Sequence, residues 1–280
     1  MFAANLQAAH ETLVAEPILQ KCVLTIVIPV RNEARHLYRL LKNLSRQVDL
    51  QNRPVDSGRF EIIFFVNNTT DDSAAIIRRG RAANHSLTVH LAEKNLPVEH
   101  SNIGFVRRWL MNEAYLRLLR GDNSQGIIAT TDGDTEIAPD WIAATISEIE
   151  KGADAVGGRI FIHPNDLRKM NPCARSFHLR DTGYRLMAAE LEAHLDNLAH
   201  DSLPRHHQHF NGSFAVTTKA FEKAGGIPQV DFLEDVAFYH SLLRVDARFR
   251  HSPAVRVQTS ARSDGRTALG LSTQINEWTL

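Results

Sequence analysis

Two aspartates separated by a single glycine, Asp132-Gly133-Asp134, have the residue types and spacing that most directly suggest chemistry in this sequence. They follow an apolar run at residues 126–130 whose length and flanking turn residues are typical of a buried strand. Two carboxylates just past a strand can converge on one divalent cation, because Mg²⁺ and Mn²⁺ prefer oxygen ligands. The same residues would also suit a solvated Asp-Gly turn in a hairpin. The motif alone therefore leaves a metal–diphosphate site and a simple turn both open.

The chain before this motif alternates between strand-like and helix-like segments. Apolar runs rich in β-branched residues predict strands, whereas apolar residues at helical spacing predict helices. Strands are predicted at residues 21–29, 60–66, 87–91 and 126–130, and helices at 37–44, 74–81 and 105–120. This alternation is typical of an α/β fold with a mostly parallel sheet flanked by helices.

Polar loops follow several of these predicted strands. They lie at residues 29–33, 67–72 and 132–134, and ligands of parallel sheets bind outside the carboxyl ends of the strands. Their convergence on one edge favours a functional role for Asp132 and Asp134. The sequence has no Gly-x-Gly-x-x-Gly after the first strand and no P-loop motif, which argues against the usual dinucleotide and P-loop sites.

Composition limits the classes of partner. Lys plus Arg and Asp plus Glu both number 32 among 280 residues, so no net charge attracts nucleic acid or an anionic membrane. Cys22 and Cys173 form neither a metal-spaced motif nor a disulfide framework. No run approaches the ~18 apolar residues of a membrane span, and residues 1–20 do not resemble a secretory signal. We expect a cytoplasmic protein without an integral membrane segment; peripheral contact with the inner face of the membrane and homo-oligomer formation stay open.

The ordered set of motifs resembles the family 2 glycosyltransferases, which have the GT-A fold. The matching segments are residues 27–33, residues 65–73, the Asp-x-Asp motif at Asp132-Gly133-Asp134, and a late Glu234-Asp235 motif. The resemblance extends over about residues 22–240. Asn67-Asn68 depart from it, because family members usually carry Asp residues there. An amide can still read a base edge, but the identity of the nucleotide stays open.

The resemblance implies transfer of a sugar from a nucleotide-diphospho-sugar donor to an unknown acceptor hydroxyl, with Mn²⁺ or Mg²⁺ as cofactor. It assigns Asp134 to the metal and Asp132 to the metal or the ribose. Asp235 would be the catalytic base of an inverting reaction. Glu234 would orient the acceptor, and a late histidine, His251, would complete the metal shell. Asp235 could instead be a helix N-terminal acid, and His251 a surface residue.

The remaining predicted substrate-binding residues come from the same loops and from the end of the chain. They are Pro29, Arg31, Glu33, Asn67, Asn68, Asn211, Gly212, Arg262 and Arg266. The resemblance also divides the chain into an N-terminal extension (1–20), a nucleotide-sugar-binding half (21–138), an acceptor-side half of the same domain with a mixed sheet (139–260), and a C-terminal tail or closing loop (261–280). Within the acceptor-side half, residues 165–205 are predicted to be mainly helical.

Other functions stay open at this point. A retaining GT-A glycosyltransferase of small acceptors would share the Asp-x-Asp motif and the late histidine. Asp-x-Asp phosphatases usually carry their motif on the first strand and continue with Thr at the fifth position, where this chain has Glu136. A non-catalytic nucleotide-sugar binder would keep the fold and lack turnover. A calcium loop is excluded because its sixth position must be Gly, and here it is Ile137.

Overall fold

The structure is a computed structural model that describes residues 2–121, 123, 125–262 and 270–279. Its strands are β1 (Leu24–Val30), β2 (Phe60–Asn67), β3 (Val89–Lys94), β4 (Ile127–Thr131), β5 (Glu136–Ile137), β6 (Ala155–Ile162), β7 (Ser213–Thr217) and β8 (Phe249–Thr259). Its helices are α1 (Phe2–Ala9), α2 (Ala34–Leu44), α3 (Ser73–Ala83), α4 (Ile103–Arg120), α5 (Trp141–Glu150), α6 (Pro164–Lys169), α7 (Pro172–Asp196), α8 (Thr218–Ala224), α9 (Glu234–Arg244) and α10 (Leu271–Glu277).

All the described strands belong to one sheet with the order β3-β2-β1-β4-β7-β6-β8-β5. β1 pairs in parallel with β2 and β4, and β2 pairs in parallel with β3. β7 runs antiparallel between β4 and β6, while β8 is parallel to β6 and antiparallel to β5. The prediction of an α/β fold, with a parallel first half and a mixed second half, is therefore confirmed.

The sheet separates two hydrophobic cores. One lies under α2, α3 and α5, and the other under α4, α8 and α9. The predicted apolar face of α2 is buried as expected, with Leu37, Leu40, Leu41 and Leu44 all turned inward. β1 and β2 are buried along their whole length, because helices cover both faces of this part of the sheet.

The first strand continues one residue beyond its predicted end. Its end was predicted at Pro29, but β1 extends to Val30. Proline disrupts a central strand because it cannot donate a ladder hydrogen bond. Pairing of β1 with β4 already stops at Val27, however, and Pro29 pairs only with Phe65 of β2. The missing N–H therefore falls where one neighbouring strand has ended.

The long helix α7 contributes little to either core. The helix lies within the region at 165–205 that is predicted to be mainly helical. Among its 25 residues only Ala174 and Ala189 are buried, so few of its side chains belong to a core. One of its faces exposes large side chains, namely Phe177, Tyr184, Met187, Leu191 and Leu195. None of the helices among the described residues is both long and apolar enough to cross a membrane.

A buried ion pair ties the long helix α4 to the second strand. The Arg117 guanidinium donates to both carboxylate oxygens of Glu61, at 2.8 and 2.7 Å, and His90 lies 3.2 Å from the same carboxylate. Burial alone would raise the pKa of Glu61, but these partners lower it to about 2. Because the folded-state pKa lies below the ordinary value of 4.5, this stabilisation is present above that pH and is lost as the pH falls towards 2.

We expect Arg117→Met to lower the free energy of unfolding by about 3–5 kcal/mol, because the Glu61 carboxylate stays buried without its main partner. The double change Glu61→Leu with Arg117→Met should cost clearly less, since no buried charge is then left uncompensated. Denaturant unfolding at neutral pH measures both. Equal losses for the single and the double variant would contradict this role of the pair.

Candidate active site

The loops after β1 and β2 are joined through a sharply turned backbone. Asn32 and Asn68 both have positive φ angles, 53° and 48°, a conformation that asparagine adopts more readily than most residues. The Asn32 side-chain oxygen accepts from the backbone N–H of Thr70 at 2.7 Å. A second bond runs the other way: the backbone N–H of Glu33 donates to Ser73 Oγ at 2.9 Å. Asn32 does not cap α2; Glu33 occupies that position.

The asparagine pair after β2 is fixed against the loop that follows β3. Asn68 donates to the Leu96 carbonyl at 2.8 Å and accepts from the Leu96 N–H at 3.1 Å. Asn67 is buried and donates to Asn68 Oδ1 at 3.3 Å. The Asn68 amide is thus used to hold two loops together, and base recognition by this pair stays a prediction.

Asp132 lies against a buried arginine of α4. Arg107 Nη2 donates to Asp132 Oδ1 at 2.7 Å, and Arg107 Nη1 donates to Thr130 Oγ1 at the same distance. The Arg107 Nε is 3.5 Å from Glu234 Oε1. Burial would lower the pKa of Arg107, but Asp132 and Glu234 raise it. One cation therefore joins the Asp-x-Asp motif to the late Glu-Asp motif.

Asp134 meets the end of β8 and the residues just beyond it. Its Oδ2 accepts from Ser260 Oγ at 2.7 Å and lies 3.3 Å from Arg262 Nη2. Arg262 Nη1 also donates to Glu33 Oε2 at 2.9 Å. The structure therefore brings Glu33, Asp134 and Arg262 together. Arg266 lies outside the described residues.

Glycines at two positions let backbone segments approach the carboxylates. A Cβ at Gly133 would lie 3.0 Å from Glu33 Cγ and 3.3 Å from the Pro29 carbonyl oxygen. A Cβ at Gly212 would lie 3.2 Å from Asp132 Oδ2 and the same distance from Ile160 Cδ1. Gly212 is brought here because β7 starts at the end of β4, where Ser213 pairs with Thr131.

The Glu234-Asp235 motif begins α9 beside these residues. Leu233, just before it, has a φ of 55°, which is unusual for a large apolar residue. Asn211 Nδ2 donates to Glu234 Oε1 at 3.4 Å, so the Asn211-Gly212 turn contacts the motif. Burial and the nearby Glu234 charge raise the pKa of Asp235. A carboxylate with a raised pKa holds a proton more readily, as a general base requires.

The two predicted residues still to be placed are Arg31 and His251. Arg31 is exposed just after β1. His251 does not join the two aspartates, because β7 and β6 separate it from β4 and three interstrand spacings amount to roughly 14 Å. Its Nδ1 is instead paired with Asp201 Oδ2 at 2.8 Å. This corrects the expected grouping of His251 with Asp132 and Asp134.

The described residues contain no set of three His, Cys, Asp or Glu side chains arranged to hold a metal ion. A site built by the protein alone is therefore not present in the described part of the chain. Asp132 and Asp134 still fit the simpler arrangement in which one or two carboxylates and substrate phosphates share the cation. The Asp132 side chain is 38% exposed, which leaves it accessible to such a ligand.

Sequence analysis missed two contributors to the site. Arg107 is not among the predicted site residues, yet its side chain is 3% exposed and bonds Asp132. Ser260 is not among them either, yet it contacts Asp134. Their local sequence carries no signal for these roles, which arise only when α4 and the end of β8 pack against the end of β4.

The fold and this edge of polar residues define an α/β protein with a ligand site at the carboxyl ends of parallel strands. The sequence profile described as glycosyl transferase family 2 matches residues 25–206, well over half of the chain. The chain belongs to glycosyl transferase family 2 and is a glycosyltransferase. No curated protein sequence matches it.

Two solved structures illustrate the fold. The mannosyltransferase PcManGT from Pyrobaculum calidifontis, solved with GDP-Man and Mn²⁺, is similar with a TM-score of 0.57 and 18% identity, over 94% of this chain and 69% of that one. S. aureus TarS is similar with a TM-score of 0.53 and 11% identity, over 91% of this chain and 42% of TarS. This chain thus spans less than half of the TarS chain. At these identities the similarity supports the GT-A fold.

We expect Arg107→Met to lower the free energy of unfolding by about 1.5–3 kcal/mol, because Asp132 and Glu234 lose their shared cation while water partly screens the exposed Asp132 carboxylate. Arg108→Met is the matched control: Arg108 is the next residue, and it donates only to Gln229 at 3.0 Å in the described structure. That change should stay within about 0.5 kcal/mol. Similar losses for the two variants in denaturant unfolding would contradict the role of Arg107.

Proposed function

We propose that this glycosyltransferase moves a sugar from a nucleotide-diphospho-sugar to an acceptor hydroxyl with the help of Mn²⁺ or Mg²⁺, and that it inverts the anomeric centre. The observation that carries the proposal is the contact of one buried cation, Arg107, with carboxylates of both motifs. This contact places the Asp-x-Asp motif, whose carboxylates can bind a metal ion, near Asp235, a partly buried acid whose pKa is raised. Donor activation and acceptor deprotonation need these two functions side by side.

On the donor side, Asp132 and Asp134 would hold the cation. The bound cation would act as a Lewis acid that neutralises charge developing on the leaving diphosphate. Arg262, which contacts Glu33 and Asp134, can bind a phosphate oxygen from the other side, since a guanidinium matches phosphate geometry. Because Gly133 and Gly212 have no Cβ, the backbone at both positions can lie close to these carboxylates and to a bound donor.

On the acceptor side, Asp235 would take the proton of the attacking hydroxyl. Its Oδ1 accepts from the N–H of Val236 at 2.9 Å, which orients the carboxylate. Glu234 is buried and held by Asn211 and Arg107, so it positions the start of α9 and does not act as a second base. The presence of Asp235 near the Asp-x-Asp motif supports a catalytic protein over a non-catalytic nucleotide-sugar binder.

The PcManGT structure, which was solved with GDP-Man and Mn²⁺, supports the class of donor and cofactor without fixing the base or the sugar. The predicted cytoplasmic location, the peripheral contact with a membrane and the oligomeric state stay predictions. Membership of glycosyl transferase family 2 argues against the phosphatase alternative, because the matched segment contains the Asp132-x-Asp134 motif.

Asp134→Ala should abolish the Mn²⁺-dependent rise in melting temperature that a nucleotide-sugar donor produces in the unmodified protein. Thermal unfolding with UDP-, GDP-, ADP- and dTDP-sugars, each with and without Mn²⁺, measures the effect and identifies the base. Asp140→Ala is the control, because Asp140 is a neighbouring aspartate that pairs with Arg256 outside the motif. Equal donor responses in Asp134→Ala and the unmodified protein would reject the site.

Asp235→Asn should keep the donor response and lower transfer by about 10²–10⁴-fold, the usual contribution of a general base. Release of nucleoside diphosphate in the presence of hydroxyl acceptors measures transfer. Asp231→Asn, an exposed position in the loop before α9, is the control and should stay near full activity.

Because the pKa of Asp235 is raised above its ordinary value of 3.8, transfer should fall as the pH drops through a value above 3.8, where the base becomes protonated. The pH dependence of kcat measures this acid limb. Full transfer by Asp235→Asn, or an acid limb that persists unchanged in that variant, would exclude Asp235 as the base.

A further inference from the structure

A buried arginine near the proposed binding region for the sugar acceptor lacks a hydrogen-bond partner on its guanidinium. Arg159 on β6 is 8% exposed, and its Nη1 is buried without a hydrogen-bond partner. No carboxylate among the described residues forms an ion pair with it, and its guanidinium lies over the Phe161 ring at 5.3 Å. A buried charge without a partner costs free energy, so such residues usually meet an anion.

The other two deeply buried arginines show what Arg159 lacks. Arg107 is held by Asp132 and Glu234, and Arg117 by Glu61. Burial lowers the pKa of all three guanidiniums, but carboxylates raise it again at Arg107 and Arg117. At Arg159 burial acts alone and the pKa is lowered. The chain therefore compensates two of these buried cations and leaves the third uncompensated among the described residues.

Other buried polar atoms near Arg159 also lack hydrogen-bond partners. The segment at residues 206–211 is fastened to β6 by Gln208, whose side chain bonds both the N–H and the carbonyl of Ile160, at 2.7 and 3.0 Å. His207 and His209 flank Gln208, and each has a buried Nδ1 without a partner. Burial and then Arg159 lower the pKa of His207 to about 4, so it stays neutral and adds no second positive charge beside Arg159.

The segment at residues 206–211 links this group to the proposed catalytic centre. Gln208 bonds the backbone of Ile160, the residue after Arg159, and Asn211 of the same segment contacts Glu234. The Ile160 side chain, on the opposite face of β6 from Arg159, borders the space at Gly212 that Asp132 also borders. Asn211 has a buried Oδ1 without a partner, so unpartnered polar atoms occur at both ends of the segment between Arg159 and Glu234.

We propose that Arg159 and the neighbouring His207 and His209 form an acceptor subsite for an anionic group, and that the acceptor is a hydroxyl compound carrying a phosphate or a carboxylate. This inference rests on the proposed function, because it assigns the acceptor of the same transfer reaction. A planar guanidinium forms two parallel hydrogen bonds with either group, and the neutral histidines can donate to the remaining oxygens. The anion would hold the acceptor while its hydroxyl faces Asp235.

The first test measures anion binding without activity. Phosphate and acetate are titrated at constant ionic strength, and the rise in melting temperature gives the affinity. Arg159→Met should weaken phosphate affinity by about tenfold or more, since the charge-assisted bonds are lost. It should fold normally, because methionine fills the space without a buried charge. Arg159→Lys keeps the charge and should recover part of the affinity.

Arg256→Met is the matched control. Arg256 lies directly opposite Arg159 on β8, and its side chain is 49% exposed and paired with Asp140. It removes the same charge, and we expect its phosphate affinity to equal that of the unmodified protein. Absence of a phosphate response in the unmodified protein, or the same loss in Arg256→Met as in Arg159→Met, would overturn the subsite.

The second test uses transfer. Glycerol and glycerol 3-phosphate in solution, and vesicles of phosphatidylglycerol against phosphatidylcholine, are compared as acceptors. Arg159→Met should raise the KM for the phosphate-bearing acceptor that is used and leave its kcat nearly unchanged. Preference for the soluble or the vesicle-bound phosphate identifies the source of the anion. A preference for glycerol, or a change confined to kcat, would overturn the proposal.

The tests distinguish a failure of the proposed function from a failure of the proposed acceptor subsite. Arg159→Met should keep the Mn²⁺-dependent donor response, since the contacts of Asp132, Asp134 and Arg262 in the described structure do not include Arg159. A missing donor response in the unmodified protein would reject the proposed function even if phosphate still bound at Arg159. A normal donor response together with unchanged phosphate affinity in Arg159→Met would reject only the anionic acceptor.

Discussion

The site depends on how carboxylates from distant parts of the chain are kept together at one edge of the sheet. Asp132, Glu234 and Asp235 would repel one another if no cation lay between them. Arg107 supplies that cation, with Asp132 at 2.7 Å and Glu234 at 3.5 Å. Because the two carboxylates raise its pKa against the effect of burial, it stays charged. The start of α9 is therefore fixed relative to the end of β4 by electrostatics as well as by packing.

A second arginine at the site differs from Arg107 in its exposure. Arg262 contacts Glu33 and Asp134, but its side chain is 27% exposed, against 3% for Arg107. Water screens an exposed ion pair and makes it weaker than a buried one. Under the proposed function, the contact of Arg262 with Asp134 would therefore give way to a donor phosphate at lower cost than the contact of Arg107 with Asp132. Arg107 would then hold the carboxylates in place, and Arg262 would bind the ligand.

The parts of this arrangement that the sequence predicts are local ones. The apolar runs of β1, β2 and β4 are confirmed, and so is the convergence of the loops that follow them, because parallel strands must end at one edge. Family membership is confirmed by the profile match. The Asp-x-Asp and Glu-Asp motifs are joined through Arg107 in the structure, while their chemical roles stay predictions.

The parts that the sequence does not predict depend on packing between distant segments. Arg107 and Arg108 are adjacent, and only the contact of α4 with the end of β4 decides that Arg107 is buried and Arg108 only partly so. α4 buries residues on most of its circumference, so periodicity could not select a face. The same limit explains His251, whose residue type suits a metal but which lies near the start of β8, paired with Gly157 of β6, whereas only the far end of β8 reaches Asp134. A residue type states which bonds a side chain can make, and the order of the strands decides which of them it reaches.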